Sequence, residues 1–166
     1  MLDELSTLLT VRDARLQDVQ QLVALINALN AHEGGAPTMT HAHAEFVLFS
    51  SQRPVNVQCV VATSSREIVG FVLYYQGYDT ASTSFGFHVA DIYVAHDHRA
   101  RGVGRVLMCE IAKRCLDSGG QWCSLTVLRD NAEAQSFYDA LSFQHPQVSF
   151  RAIGPSGLNL LRANHM

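Results

Sequence analysis

Apolar residues recur at Leu16, Val19, Leu22, Val23, Ile26 and Leu29 with the three-and-four spacing of one helical face. Asp18 falls in the first turn, where a carboxylate favours the helix dipole. The pattern predicts an amphipathic helix from Leu16. After a Gly34-Gly35 break a weaker helical stretch covers His41 to Phe49, and the β-branched run Val57 to Ala62 reads as a strand. Ser64-Ser65 then forms a turn, and Ile68 to Gln76 returns as the hairpin partner. Phe85 to Ala95 alternates in a strand-like way, whereas Gly102 to Leu116 puts Val103, Val106, Leu107, Ile111 and Cys115 on one helical face. Gly119-Gly120 stops that helix. Trp122 to Leu128 is strand-like, Asn131 to Leu141 is a short helix with Asn131 as its cap, and the tail from Phe150 to Leu161 predicts one or two edge strands. The order β, α, α, β, β, β, α, β, α, β predicts an α/β sheet with helices on both faces, in which Phe85 to Leu128 forms a right-handed parallel crossover.

The chain has 166 residues, which fits a single domain spanning residues 1–166. Hydrophobic residues make up 48% and charged residues 16%, with a mean hydropathy of +0.05, too apolar for a disordered chain. The net charge of −3 gives no field to gather nucleic acid or an anionic membrane, so neither is an expected partner. Cys59, Cys109, Cys115 and Cys123 match no CxxC pair and read as reduced, mostly buried thiols. Asp3 and Glu4 stand where a signal peptide carries positive charge, and no apolar run approaches the roughly 20 residues of a membrane helix. A cytoplasmic location is expected. His41/His43 and His96/His98 are i, i+2 pairs without a third ligand at a recognisable spacing, so no metal site is expected.

Two stretches carry candidate chemistry. Arg99-Ala100-Arg101-Gly102-Val103-Gly104-Arg105 joins a strand to a helix. Its glycines let backbone approach a ligand, and free N–H groups at a helix N-terminus attract phosphate. Pyrophosphate is the natural guest, although a glycine-softened turn with solvated arginines has the same composition. The loop lacks Gly-Lys-Ser/Thr and does not fit GxGxxG, since position 107 is Leu. In the second stretch, Asn131 and Tyr138 lie seven residues apart, which places both on one helical face. They suit one shared ligand, or equally a capping Asn and a core aromatic.

In order and spacing these pieces resemble the GNAT superfamily of acetyl-CoA-dependent N-acetyltransferases. Arg99 to Gly104 is similar to the family's Arg/Gln-x-x-Gly-x-Gly/Ala loop, and His88 to His96 to the strand that splays to admit the pantetheine arm. Asn131, Phe137-Tyr138 and Leu141-Ser142-Phe143 resemble its fourth-helix signature, where Leu-Gly-Phe is common, and Val11 to Asp18 resembles its usual opening. The resemblance implies a mixed, mostly antiparallel central sheet with helices on both faces and a splayed parallel strand pair. It further implies that Ile92, Tyr93, Val94, Arg99, Ala100, Arg101, Gly102, Val103, Gly104, Arg105, Asn131 and Tyr138 bind acetyl-CoA, with backbone N–H groups from about Arg101 to Val106 on its pyrophosphate. Tyr138 is the implied acid for the departing thiolate, and Asp91 the implied proton acceptor or cation holder. Homodimers are common in that family.

The run Ile68 to Arg99 is similar to the diamine acetyltransferases of the spermidine/spermine and thialysine type, which implies a small cationic amine as acceptor. Glu33, Glu45 and Asp79 lie in segments that border the acceptor side in such enzymes. Those enzymes typically carry Glu-Asp where this chain reads Ala90-Asp91, so the glutamate often assigned to deprotonating the amine is absent. An amino acid, a peptide N-terminus or an aminoglycoside is the alternative acceptor. A non-catalytic acyl-CoA-binding module is the alternative from another class.

Overall fold

The structure, a computed structural model, describes residues 9–53, 55–146 and 150–163. Its elements run β1 (Leu9–Asp13), α1 (Val19–His32), α2 (His41–Phe49), β2 (Gln58–Ser64), β3 (Glu67–Asp79), β4 (Ser84–Val94), α3 (Val103–Asp117), β5 (Cys123–Leu125), α4 (Ala132–Ala140) and α5 (Pro155–Ala163). They fall into two compact units, one within residues 1–128 and one within 129–166.

The first unit is built on a five-stranded sheet in the order β1-β2-β3-β4-β5. The first three pairings are antiparallel and β4 with β5 is parallel. Strands covered on both faces read as unbroken apolar runs, which is why Val60-Val61-Ala62 and Phe71-Val72-Leu73 show no alternation. On one face, Leu22, Ile26 and Leu29 of α1 and Leu48 of α2 pack against Cys59, Val61, Phe71 and Leu73. On the other, α3 buries Val103, Leu107, Met108, Ile111 and Cys115 and packs on β3 and β4. No helix of the described residues is long and apolar enough to cross a membrane.

The helix expected from Leu16 opens instead as a 3-10 turn over Leu16–Asp18, and the α-helix proper starts at Val19. The Asp18 carboxylate explains the difference. It accepts two hydrogen bonds from the Arg12 guanidinium at 2.6 and 2.9 Å and one from the Arg15 N–H at 2.7 Å, so it ties β1 to the chain entering α1 rather than capping α1. Arg12, chiefly through those hydrogen bonds, holds the carboxyl below the usual carboxylate range.

The second unit contains α4 and α5. Asn131 caps α4, its side-chain oxygen accepting from the Ala134 N–H at 3.0 Å. The helix ends as Ser142 N–H donates to Asp139 O at 2.9 Å and Phe143 N–H to Tyr138 O at 3.1 Å. This is the paired closure of a Schellman motif, which needs a left-handed residue at Ser142 (φ 66°). Its usual hydrophobic contact is present as well, with the rings of Tyr138 and Phe143 5.6 Å apart. The edge strands expected between Phe150 and Leu161 are not formed: residues 155–163 are the helix α5. Pro155 supplies the fixed φ favoured at a first helical position, and Leu158, Leu160, Leu161, Arg162 and Ala163 are good helix formers, so local propensity prevails over the apolar run that suggested a strand.

Asp18 is buried but Arg12 keeps partial access to water, so Asp18→Ala, which removes three hydrogen bonds to a charged group, should lower stability by about 2 kcal/mol in urea unfolding. Because the folded pKa of Asp18 lies below its unfolded value, its contribution is complete above pH about 4 and is lost as pH falls through the folded pKa. The destabilisation of the variant should therefore shrink in the same acidic window.

Candidate active site

β4 makes the floor of the site. Its register against β3 shifts between Leu73↔Asp91 and Tyr74↔Val89, which leaves Ala90 as the extra residue of a bulge. Beyond the bulge Asp91 shares the face of Leu73, the face covered by α1 and α2. Asp91 is half-buried there, and burial first, then the charge of Glu33, hold its carboxyl above the usual carboxylate range. Asp79 is engaged elsewhere: its carboxylate accepts from the Ala81 and Ser82 N–H groups, both at 3.1 Å, and from Ser82 Oγ at 2.6 Å. Glu45 lies exposed on α2 beside His41 at 3.8 Å. Of the three flanking carboxylates expected on the acceptor side, Glu33 is the one whose charge acts on Asp91.

The parallel pairing of β4 with β5 covers Phe87↔Cys123, His88↔Ser124 and Val89↔Leu125, and there it stops while β4 runs on to Val94. The Ala95 N–H donates to Val69 O on β3 at 2.9 Å. Strand backbone alternates in direction, so Ile92 and Val94 turn their N–H and C=O groups to the side that β5 has left. Arg99 takes up the Val94 carbonyl through Nε at 3.0 Å, and its guanidinium lies 5.3 Å from the centre of the Tyr93 ring. The loop arginine is thus folded back on the strand end, whereas Arg101 and Arg105 are exposed.

The turn that follows carries two left-handed residues, Ala100 (φ 54°) and Gly102 (φ 83°), and Gly102 precedes the first residue of α3. No side chain caps this helix. Val106 N–H bonds Gly102 O at 3.0 Å, so the unclaimed donors of the first turn end at Arg105. Exposed arginines beside an uncapped helix N-terminus form an anion-binding arrangement.

The structure brings Asp91, Ile92, Tyr93, Val94 and the loop 99–105 onto one continuous stretch of the first unit. Asn131 and Tyr138 belong to the second. Asn131 is the cap of α4 and not one of its helical residues, and Tyr138 is buried between Phe137 and Phe143, with ring centres at 5.2 and 5.6 Å. Among the described residues no group of His, Cys, Asp and Glu is arranged to hold a metal ion. Cys59 and Cys115 are buried and Cys109 is exposed. Burial pushes the Cys59 thiol up to about 12, far from thiolate chemistry.

One constellation was not singled out from the sequence. His88 pairs with Tyr75 across the β3–β4 ladder, their ring centres 5.1 Å apart, and its Nδ1 lies 3.0 Å from Ser124 Oγ on β5. Tyr75 alternates with Leu73, so His88 lies on the same face as Asp91. Trp122 flanks this patch so tightly that a Cβ on Gly86 would sit 2.3 Å from the indole ring. The period-two pattern of β4 carries this signal only once the bulge is known, because a straight count puts residues 88 and 91 on opposite faces.

A profile of the acetyltransferase (GNAT) family matches residues 23–143. The thialysine N-epsilon-acetyltransferase of Bos taurus is 35% identical over 77 residues, which is 46% of this chain and 45% of the relative. The L-ornithine N5-acetyltransferase of Arabidopsis thaliana is 29% identical over 77 residues, 46% of this chain and 34% of the relative. The matched stretch thus spans less than half the length of either relative. Among solved structures, an integron cassette protein from the mobile metagenome of V. cholerae is similar with a TM-score of 0.79 at 19% identity, covering 93% of this chain and 97% of that one. That likeness concerns the fold.

Asp91 should titrate above the ordinary aspartate value of about 3.9, as followed by carboxyl NMR shifts. Glu33→Gln should lower its pKa only part of the way, because burial is the larger cause. Full restoration of the ordinary value would contradict that ordering.

Proposed function

Because this chain belongs to the acetyltransferase (GNAT) family, we propose that it moves an acetyl group from acetyl-CoA to the primary amine of a small cationic acceptor by direct transfer. The observation that carries the reading is a strand end left by its parallel neighbour beside an uncapped helix N-terminus. A pantetheine arm is a chain of amides, and the open edge of β4 at Ile92 and Val94 offers it the backbone partners that β5 does not. The N–H groups of Val103, Gly104 and Arg105, with Arg101 and Arg105 alongside, would meet the pyrophosphate charge.

Acetyl-CoA supplies an acyl carbon activated as a thioester. In the transfer the amine nitrogen bonds to that carbon, the carbon–sulfur bond breaks, the nitrogen loses a proton and the sulfur gains one. Tyr138 would donate the proton to sulfur, as the family resemblance implies. Asp91 would hold the acceptor's positive charge, and Glu33 adds a second negative charge to the same neighbourhood. Two carboxylates suit a diamine better than a neutral or acidic amine. The names of the two curated relatives, thialysine and L-ornithine acetyltransferases, support the same class of acceptor.

A screen of diamines, amino acids, peptides and aminoglycosides, read as free CoA released from acetyl-CoA, tests the reaction. Turnover confined to neutral or acidic amines would remove the cationic acceptor and leave acetyl transfer standing. Binding without turnover would point to an acyl-CoA module. Gly104→Glu places a carboxylate in the first turn, where it suits the helix but repels a pyrophosphate, and should abolish acetyl-CoA binding in calorimetry. Tyr138→Phe should lower kcat by about 10²- to 10⁴-fold and leave acetyl-CoA affinity nearly unchanged.

A further inference from the structure

We propose that His88 accepts the proton of the acceptor's ammonium group, the task for which Ala90 offers no side-chain base. The inference rests on the acetyl-transfer reading above and adds to it the identity of the base. Three observations carry it. His88 lies on the Asp91 face of β4, next along that face on the side away from Tyr93, because the bulge at Ala90 removes the half-turn that would have separated them. Its ring is held from two sides, by the Tyr75 ring and by Ser124 Oγ at 3.0 Å from Nδ1. It is also half-buried rather than loose at the surface.

The contact to Ser124 sets the chemistry. When Nδ1–H donates to Ser124 Oγ, Nε2 carries the free lone pair and is the atom able to accept a proton. An N–H bond of the ammonium then breaks as an Nε2–H bond forms. The lone pair freed on the amine nitrogen makes the bond to the acyl carbon while the carbon–sulfur bond breaks. In the reading above sulfur takes the proton of Tyr138; the acylated nitrogen gives up its second proton to water, water reprotonates the Tyr138 phenolate, and the imidazolium returns its proton to water. No further reactant is required.

A carboxylate is the weaker choice for this step. Ordinary pKa values place imidazole about four units below an alkylammonium and a carboxylate about six, so the transfer to imidazole is far less uphill. Asp91 is left to hold the cation. The titratable side chains on the His88 face of the sheet are Asp91 on β4 and the Tyr75 phenol on β3, with Glu33 at the end of α1 acting on Asp91; β5 contributes the uncharged Ser124.

The test is the pH dependence of kcat/KM for wild-type protein with acetyl-CoA and the diamine that turns over fastest in the CoA-release screen. A base on the protein gives a rate that stops rising well below the pKa of the amine and holds a plateau up to that value, about 10. A rate that climbs tenfold per pH unit up to that value means that neutral amine is drawn from solution, and it overturns the proposal without any variant. His88→Gln, with its fold checked by circular dichroism and by acetyl-CoA calorimetry, should lose about 10²-fold at pH 7 and convert the plateau into that climb. His88→Ala should regain part of its rate from added imidazole. A His88→Gln profile superimposable on wild type overturns the proposal while acetyl transfer stands, and absence of turnover with every amine overturns both.

Discussion

Backbone hydrogen bonding in β4 is the constraint from which the rest of the site follows. A strand inside a sheet must satisfy its N–H and C=O groups on both sides, and β4 does so only as far as Val89. Past that point β3 serves one side and β5 has ended. The sheet thereby presents amide groups in a line, and Arg99 already claims the last of their carbonyls. The turn after β4 directs the chain into α3 with its first N–H groups unclaimed, so an edge of amides leads straight to an anion-binding helix terminus.

The remaining parts of the first unit hold that edge in place. Leu22, Ile26 and Leu29 of α1 press on the face that bears Phe71 and Leu73, and Leu107 of α3 fits beside Gly70, where a Cβ would come within 3.2 Å of its Cδ1. The buried Asp18 locks β1 to the entry of α1 through Arg12 and the Arg15 amide. Position along α1 in turn fixes where Glu33 stands, and through Glu33 the electrostatics of Asp91. A carboxylate in the core and a carboxylate in the site are therefore linked through a single helix.

The bulge at Ala90 has an effect out of proportion to its size. Without it Asp91 would share the face of Val72 and Tyr74 and lie under α3. With it, Asp91, His88 and Tyr75 share a face, so the proposed cation holder and the proposed proton acceptor lie on the same side of the sheet. The absence of a carboxylate at position 90 reads differently in that light. Position 90 is the bulged residue itself, and the side chains on either side of it carry the chemistry proposed here.

Much of this protein was legible in the residues alone, because local rules act over short stretches. Helical spacing located α1, α2 and α3 to within a few residues, and Asn131 announced its own cap. Glycines and arginines marked Arg99 to Gly104 as a strand-to-helix junction, a composition that a solvated turn shares. The apolar run of the tail fits strand and helix alike, since it has no period long enough to separate them, and residues 155–163 form α5. Tertiary structure alone decided three things: that β5 ends at Leu125, that Ala90 bulges, and that Ser124 and Tyr75 close on His88. Each depends on how strands far apart in sequence register against one another, and a one-residue shift in that register moves every following side chain to the opposite face.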